Sequence, residues 1–446
     1  MTYEREMLRW IENNFEAARQ DFADIQQAVK NSVLCYNNRC VQGLAIPKIY
    51  SKQDADLMFA FTQGCFAVFN KVIDRYFADE NYRRLFPFSP ELERLILLPP
   101  QYECRVPMAR VDFFFNEESR AIKLCEINTD GTSAMNEDRI LGGLLHMNKA
   151  YQHFAATHGC KPFELFDSWV GEFLALYHEY SQSDALPFVA IVDFLDKATL
   201  AEFKQFALAF GNRGVKAEIC DIRDIQYQNG RLLTKNGNHI DAIYRRAVTS
   251  DIMANYGQVQ PFIEGALNNT ACLAGGFRTQ VIHNKALFGI LHREETLSFL
   301  TPEERQFVLR HVPLTYPLLP PYIEKHNVLA NKDFWLIKPY DSYGSRGVYA
   351  GLDCEQGEWE RLVRECAGDG YLMQEYCAPY RSTNIDFSDE QPKTRPFCNI
   401  TGVFCYNERP YGIYSRLSKG NVISSQYDEK TVATVVCTPR PSSTPL

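Results

Sequence analysis

Two short segments of the sequence carry residue types that bind metals and phosphates in proteins. In the first, Arg110 and Asp112 are separated by one residue, and in the second Glu126 and Asn128 are. Residues two apart in a strand share a face, so each pair points to one side. A polar turn separates the segments, which predicts a hairpin. If the hairpin is symmetric about Ser119, Asp112 lies opposite Glu126, and Arg110 lies opposite Asn128.

This arrangement indicates a metal site. Carboxylates that face each other across a hairpin repel, and a divalent cation between them would remove the repulsion. Carboxylate and amide oxygens suit Mg²⁺, which commonly binds a few carboxylates together with substrate phosphates. We therefore predict that Asp112, Glu126 and Asn128 bind Mg²⁺ and that Arg110 holds a phosphate or a substrate carboxylate. The alternative is a solvent-facing polar strand face, but the small polar turn at residues 129–133 also offers backbone N–H groups to an anion.

A glycine-containing loop provides a second set of candidate residues. Lys338 ends an apolar strand, and residues 339–348 follow as a loop. The small residues predicted to contact phosphates are Ser342, Gly344, Ser345 and Gly347. Backbone N–H groups of such a loop can close over phosphates while a lysine fixes the negative charge. The pattern lacks the G-K-[ST] of a P-loop, and a plain turn is the alternative.

Further candidates stand alone in the sequence. The segment Gln374, Glu375 and Tyr376 follows a short apolar strand and could present backbone groups to the edge of an adenine ring. Lys285 and Arg416 are cations that could contact a nucleotide. The alternatives are a strand that leaves the core and two solvated surface cations.

The elements that position these residues alternate between helix and strand. Apolar periodicity predicts helices at 1–30, 54–77 and 197–211. Strands are predicted at 110–115, 121–128, 187–194, 216–221, 240–246, 333–339, 371–376, 397–406 and 411–417. This alternation predicts an α+β or α/β protein of several domains, with a small α/β domain at about residues 155–280.

Composition narrows the class of protein. The chain has 446 residues and a net charge of −8, which argues against a general nucleic-acid binder. No signal peptide and no apolar stretch of about 20 residues is visible, so we predict a cytoplasmic protein that does not enter a membrane. The 14 cysteines show no C-x-x-C pair, and we predict free thiols in a reducing cytosol.

Together the motifs resemble the ATP-grasp superfamily. The hairpin residues are similar to that family's metal-binding R-x-D and E-x-N, and Lys285 and Lys338 stand where its nucleotide lysines would be. The glycine loop resembles its phosphate-covering loop, residues 374–377 resemble its adenine hinge, and Arg416 resembles its phosphate-contacting arginine. Here the metal hairpin precedes the lysines, which implies circular permutation and resembles the glutathionylspermidine synthase group, in its synthetase part only.

This resemblance implies a fold, cofactors and an activity. The fold is a circularly permuted ATP-grasp fold with an inserted pre-ATP-grasp-like α/β domain, and the cofactors are ATP and two Mg²⁺ ions. The predicted parts are a helical region at 1–95, a metal-binding half at 96–154, the α/β domain at 155–280, a nucleotide-binding half at 281–437 and a flexible tail at 438–446.

The implied activity is ATP-dependent ligation of a small carboxylate to an amine through an acyl phosphate. Arg110 and Arg416 are the residues placed nearest the chemistry, and Arg245, Arg246 and Arg278 are candidates to hold the substrate carboxylate. A phosphotransferase with the same ATP site and a catalytically silent nucleotide-binding regulator remain open alternatives. The oligomeric state and the identity of both substrates are open as well.

Overall fold

The computed structural model describes residues 3–36, 39–342, 344, 346–368, 370–423 and 428–439. Within them the chain has a mixed α+β fold with several separate sheets. The helices run over Tyr3–Asn13, Phe15–Lys30, Lys52–Ala78, Glu80–Arg83, Pro90–Ile96, Met135–Leu144, Lys149–Thr157, Phe166–Ser181, Leu200–Asn212, Thr249–Ala254, Gln260–Leu267, Gln280–His283, Ala286–Leu291, Glu294–Leu297, Pro302–His311, Pro320–Lys325 and Gln356–Cys366.

The N-terminal region contains two helices where one was predicted. The chain breaks at Asn14, whose side chain donates to the carbonyl of Trp10 over 2.8 Å. The predicted helix at 54–77 is confirmed as Lys52–Ala78. It begins at Ser51, whose hydroxyl accepts a hydrogen bond from the backbone of Asp54, which satisfies one N–H of the first turn.

The central part of the chain forms a four-stranded parallel sheet, as the alternation of elements predicted. Its strand order is Cys272–Ala274, Ala242–Arg245, Phe188–Asp193 and Lys216–Asp221. The flanking helices Phe166–Ser181 and Leu200–Asn212 cover one face, where their aromatic side chains pack together. Trp169 contacts Tyr244 of this sheet and Tyr406 of a second sheet, so one aromatic cluster joins the two.

The second sheet, which we call the site sheet, is antiparallel and combines distant parts of the chain. Its order is Glu429–Val432, Arg409–Ser418, Thr394–Tyr406, Met108–Phe115 and Ile122–Asn128, with Arg381–Ile385 also paired to the third of these. The long helix Lys52–Ala78 packs on its apolar face, where the rings of Phe61 and Phe113 lie 5.1 Å apart. The opposite face carries the polar residues of the predicted hairpin.

A smaller antiparallel sheet, the lid sheet, lies across from the polar face. Its order is Thr315–Pro317, Tyr371–Glu375, Trp335–Pro339 and Tyr349–Ala350. Helix Gln356–Cys366 packs on it through Trp359, which is buried and donates to the carbonyl of Val328. The predicted strands at 333–339 and 371–376 are both confirmed in this sheet.

A three-stranded sheet and two disulfides correct the cysteine prediction. Strand Thr434–Pro439 pairs with Lys48–Ser51 on one side and His158–Lys161 on the other. Cys160 and Cys437 are disulfide-bonded across this sheet, and Cys35 and Cys40 are bonded in a short hairpin. The prediction that all cysteines are free thiols was therefore wrong for these four, because spacing along the chain does not show which strands become neighbours.

The predicted flexible tail at 438–446 is described only in part. Residues 438 and 439 of the predicted tail belong to strand Thr434–Pro439, and residues 440–446 lie outside the described part of the chain. No described helix is long and apolar enough to span a membrane.

Helix Met135–Leu144 joins the three-stranded sheet through a buried carboxyl group. Asp138 is 2% exposed, and its Oδ1 atom accepts a long hydrogen bond of 3.4 Å from the backbone of Thr434. Its Oδ2 atom has no hydrogen-bond partner among the described residues. Burial raises the pKa of Asp138 to about 8. The folded protein therefore holds a proton here that the unfolded chain releases at much lower pH.

This proton gives a prediction for stability against pH. A raised folded-state pKa stabilises the protein at low pH, and that contribution is lost as pH rises through about 8. We expect Asp138→Asn to melt several degrees above the natural protein at pH 9 and close to it at pH 5, in parallel thermal scans. Asp184→Asn, at an exposed site, is the control and should change neither curve. An Asp138→Asn gain of equal size at both pH values would contradict the titration of this group.

Candidate active site

The hairpin has the predicted register at its polar end. Asp112 lies opposite Glu126, and Arg110 lies opposite Asn128. Symmetry fails beyond that point, because the register shifts so that Phe113 lies opposite Leu124. Cys125 is the extra residue of this β-bulge, and the bulge lets Cys125 and Glu126 both face the same cleft.

The repulsion expected between the two carboxylates is relieved by protein cations. Arg110 binds Asp112 with two hydrogen bonds of 2.7 and 2.9 Å, and Arg416 donates to the same carboxylate over 3.2 Å. The amide of Asn128 donates to both Asp112 and Glu126, each over 3.1 Å. The inference that this hairpin is only reasonable with a metal ion was therefore wrong, because two guanidinium groups and an amide already balance the carboxylates.

Asp112 and Glu126 differ sharply in environment. Asp112 is 1% exposed, and burial raises its pKa although Arg110 and Arg416 oppose the rise. Burial also disfavours the charge of Glu126, but Lys285 and Arg416 outweigh it and lower the pKa of Glu126 to about 2. Glu126 is thus a fixed negative charge at the wall of the cleft, whereas Asp112 is enclosed by its partners.

The donor set fits a metal that arrives together with phosphates. Among the described residues, no group of three acidic, histidine or cysteine side chains could hold a metal by itself. The Oε1 atom of Glu126 accepts from Asn128, and Oε2 accepts no hydrogen bond within the described part of the chain. One ionised carboxylate with an unused oxygen, next to an amide, is a typical protein share of a Mg²⁺ site whose other ligands are phosphates and water.

Two lysines approach the hairpin from the other side of the cleft. Lys285 donates to the carbonyl of Ser342 over 2.9 Å, and Lys338 donates to the carbonyl of Cys125 over 3.4 Å. The ammonium group of Lys338 also lies 4.9 Å from the ring centre of Phe288. Burial lowers the pKa of Lys338. Both lysines hydrogen-bond to backbone carbonyl groups, and neither forms an ion pair within the described part of the chain, so both can also contact an anion in the cleft.

The glycine loop has the conformational features that the sequence suggested. Gly344 and Gly347 have φ values of 65° and 72°, which strongly favour glycine. The hydroxyl of Ser342 donates to the carbonyl of Arg346 over 3.1 Å and so closes the loop on itself. Ser345, the remaining predicted loop residue, lies outside the described residues.

The predicted hinge lies at the end of the inner strand Tyr371–Glu375 of the lid sheet, and the side chains of Gln374 and Glu375 are hydrogen-bonded within the protein. Gln374 donates to the hydroxyl of Thr315 over 2.8 Å, and Glu375 accepts from the backbone of Leu314 over 3.1 Å. The backbone N–H of Tyr376 bonds to a neighbouring carbonyl of the lid sheet and is not available to a base. A ligand could therefore contact the exposed side of this segment and its backbone carbonyl groups, but not the N–H of Tyr376.

These groups meet around one cleft between the site sheet and the lid sheet. The predicted residues that line it are Glu126, Lys285, Lys338, Ser342, Gly344, Gln374, Glu375, Tyr376 and Arg416. Arg110, Asp112, Asn128 and Gly347 stand behind this lining and support it. Three cationic side chains, Lys285, Lys338 and Arg416, and two carboxylates, Glu126 and Glu375, line this cleft, and Glu429 forms an ion pair with Arg416.

Sequence reasoning missed one residue that the site requires. Gly402 lies beside Asp112 in the site sheet, and a Cβ atom there would stand 2.4 Å from Asp112 Oδ1 and 2.8 Å from Arg110 Cδ. No side chain fits in this space while the ion pair holds its position. The available signal was a glycine in the middle of an apolar strand, which often marks a close approach.

The space at Gly402 leads to a prediction. We expect Gly402→Ala to lower the free energy of unfolding by about 1–3 kcal/mol, because the added methyl group displaces the Arg110–Asp112 pair. Chemical denaturation measures this loss. Gly357→Ala, in a helix with open space around the new methyl group, is the matched control and should be neutral or stabilising. A neutral Gly402→Ala would show that the ion pair moves without cost.

Two of the arginines considered for a substrate carboxylate are already engaged. Arg245 binds Asp130 over 2.7 Å and Arg246 binds Glu202 over 2.6 Å, with all four side chains buried. Both guanidinium groups join the parallel sheet to the loop after Asn128, since Arg246 also donates to the carbonyl of that loop's Thr132. These ion pairs remove the basis for assigning Arg245 and Arg246 to a substrate. Arg278 lies elsewhere, beside a second cavity.

Comparison with known proteins identifies the class of fold. No protein-family model and no curated protein sequence matches the chain. Among solved structures, the chain shares the fold of a glutathione synthetase-like protein. That protein is a glutathione synthetase like-effector from Globodera pallida in its apo form, similar with a TM-score of 0.62 over 93% of this chain and 96% of the other, at 11% identity.

Two further structures align more loosely. A protein described as a gamma-glutamylcysteine synthetase from Methylobacillus flagellatus KT has a TM-score of 0.40 and 10% identity, with 90% of this chain and 91% of the other covered. A D-cycloserine synthetase has a TM-score of 0.30 and 12% identity, with 57% and 92% covered. At these scores neither alignment bears on the fold.

Proposed function

We propose that the protein is an ATP-dependent ligase that joins a small carboxylate to an amine. The observation that carries the proposal is the convergence of Glu126 with Lys285, Lys338 and Arg416 on one cleft between two antiparallel sheets. A polyanion with a bound cation matches this mixture of one fixed carboxylate and three cations. The similarity in fold to a glutathione synthetase like-effector supports the same class of reaction.

The side chains have distinct roles in this proposal. Lys285, Lys338 and Arg416 bind and orient the triphosphate and stabilise its charge, and Arg110 keeps Asp112 in place behind them. Glu126 is the principal protein ligand of Mg²⁺, with Asp112 and Asn128 as further ligands once their present hydrogen bonds rearrange. Bound Mg²⁺, one ion or two, would neutralise charge on the phosphates as the phosphoryl group moves.

The reaction needs no protein nucleophile. The terminal phosphoryl group of ATP passes to the substrate carboxylate, and the amine then displaces phosphate from the acyl phosphate to form an amide. Water would destroy the acyl phosphate, so the loop at 342–348 is proposed to close over the cleft and exclude it. The hydrogen bond from Lys285 to the carbonyl of Ser342 connects this loop to the phosphate-binding side.

We also propose that the chain is a circularly permuted ATP-grasp protein of the glutathionylspermidine synthase type. The hairpin at 108–128 precedes the lysines in sequence but pairs with strand Thr394–Tyr406, which follows them. The parallel sheet between these two parts supports an inserted α/β domain at about 155–280. The proposed domain boundaries are those predicted from the sequence.

The test is a screen for ADP release over pairs of carboxylates and amines, with mass spectrometry of the products. A ligase releases ADP in proportion to an amide product and requires both substrates. A phosphotransferase would release ADP with one acceptor and yield a phosphorylated product. Failure to bind Mg-ATP in calorimetry, with the protein folded, would reject both activities.

A further inference from the structure

A second cavity, separate from the cleft, lies where the parallel sheet meets the segment after helix Pro90–Ile96. Its volume is about 190 Å³, and none of its lining residues also lines the cleft. Its walls are largely apolar and include Leu95, Leu98, Leu267 and Phe277. Among the described residues, no acidic side chain lines it.

One charged residue, Arg278, faces this apolar space. Its guanidinium group lies 5.2 Å from the ring centre of Tyr102 and makes one long hydrogen bond of 3.4 Å to the carbonyl of Tyr102. Within the part of the chain that the structure describes, no carboxylate stands at ion-pair distance from Arg278. By contrast, Arg245 and Arg246, at the end of strand Ala242–Arg245, each bind a buried carboxylate.

Two other polar side chains of the cavity are hydrogen-bonded to the protein, and its two asparagines, Asn268 and Asn269, are exposed to solvent. The side chain of Gln101 donates to the carbonyl of Ala271 over 2.8 Å and accepts from the backbone of Leu273 over 2.7 Å. The hydroxyl of buried Tyr102 donates to the carbonyl of Leu273 over 2.7 Å. Among the described lining residues, Arg278 is therefore the charged group with unused hydrogen-bonding capacity, and its planar fork suits a carboxylate.

We propose that this cavity binds a small monocarboxylate with an apolar body. The apolar walls take the hydrocarbon part, and Arg278 binds the carboxylate at the rim while its guanidinium group stays stacked on Tyr102. A lining without described acidic residues favours an anion over an amine, and a single guanidinium group favours one negative charge over several. This site is independent of the proposed ligase activity, because the two cavities share no lining residue.

Octanoate is a suitable probe, and octan-1-ol has the same chain without the charge. Isothermal titration calorimetry on the full-length protein should show octanoate binding that weakens about tenfold or more in Arg278→Met. Octan-1-ol should bind the natural protein and Arg278→Met equally. Arg231→Met removes an exposed positive charge outside this cavity and should leave octanoate binding unchanged.

A second variant tests the same cavity without changing Arg278, in case Arg278→Met folds poorly. Leu267 also lines the cavity, so Leu267→Trp should fill part of it and abolish the binding of octanoate and octan-1-ol together. Equal octanoate affinity in the natural protein and a folded Arg278→Met would overturn the proposal. So would a folded natural protein that binds no octanoate, or one in which Leu267→Trp leaves binding intact.

Discussion

Glu126→Gln is expected to reduce Mg-ATP turnover at least about 100-fold while the protein stays folded. Glutamine has the shape of glutamate and can still accept from Asn128, but it lacks the negative charge that Lys285 and Arg416 now stabilise. The pKa of Glu126 is lowered to about 2, so the carboxylate is ionised throughout the range in which the protein can be assayed. The substitution therefore removes a permanent charge rather than a titrating one.

Two measurements test this prediction, and the first needs only ATP and Mg²⁺. In the natural protein Mg²⁺ should tighten ATP binding, and in Glu126→Gln that gain should be lost. ADP release, with whichever substrate pair activates the natural protein, should fall in parallel. Glu118→Gln, an exposed change in the turn of the same hairpin, is the matched control and should retain both properties. A Glu126→Gln protein with unchanged magnesium dependence would remove Glu126 from the metal site.

The second large effect concerns stability. Arg110→Met should lower the free energy of unfolding by about 3–5 kcal/mol, because it leaves the carboxylate of Asp112 buried with fewer partners. Asp112 is 1% exposed and receives two of its hydrogen bonds from Arg110, so the lost charge cannot be replaced by water. Arg416 and Asn128 remain, which sets the loss below that of an entirely unpaired carboxylate.

A double-mutant cycle separates the ion pair from packing. Asp112→Asn in the Arg110→Met background removes the unpaired charge and should restore much of the lost stability, as measured by chemical denaturation. Arg120→Met, on the exposed turn of the hairpin, serves as the control and should cost little. A double variant no more stable than Arg110→Met would show that the guanidinium group matters mainly through its contacts with Tyr414 and Phe404.

The sequence was informative where a local rule decides the outcome. Strand alternation and the short polar turn predicted the register of Arg110, Asp112, Glu126 and Asn128, and the structure confirms it. Apolar periodicity predicted the long helix, because the pattern extends over the whole element.

What the sequence could not show are contacts between residues far apart in the chain. The ion pair between Arg416 and Asp112 joins residues about 300 positions apart. Because of this contact, protein cations balance the opposed carboxylates, which therefore do not by themselves require a metal ion. The pairing of Cys160 with Cys437 has the same origin. The bulge at Cys125 and the close approach at Gly402 depend on how strands twist against each other, which residue types alone do not specify.

The order of strands in the site sheet has a consequence for synthesis on the ribosome. Strand Met108–Phe115 finds one partner at once in Ile122–Asn128, but its other edge pairs with Thr394–Tyr406, which begins about 280 residues later. At roughly 5–20 residues per second, that edge waits about 15–55 s for its partner. An open strand edge rich in phenylalanine is prone to pair with other chains during this interval. Yield in cells should therefore depend on how quickly the segment between the two strands is translated.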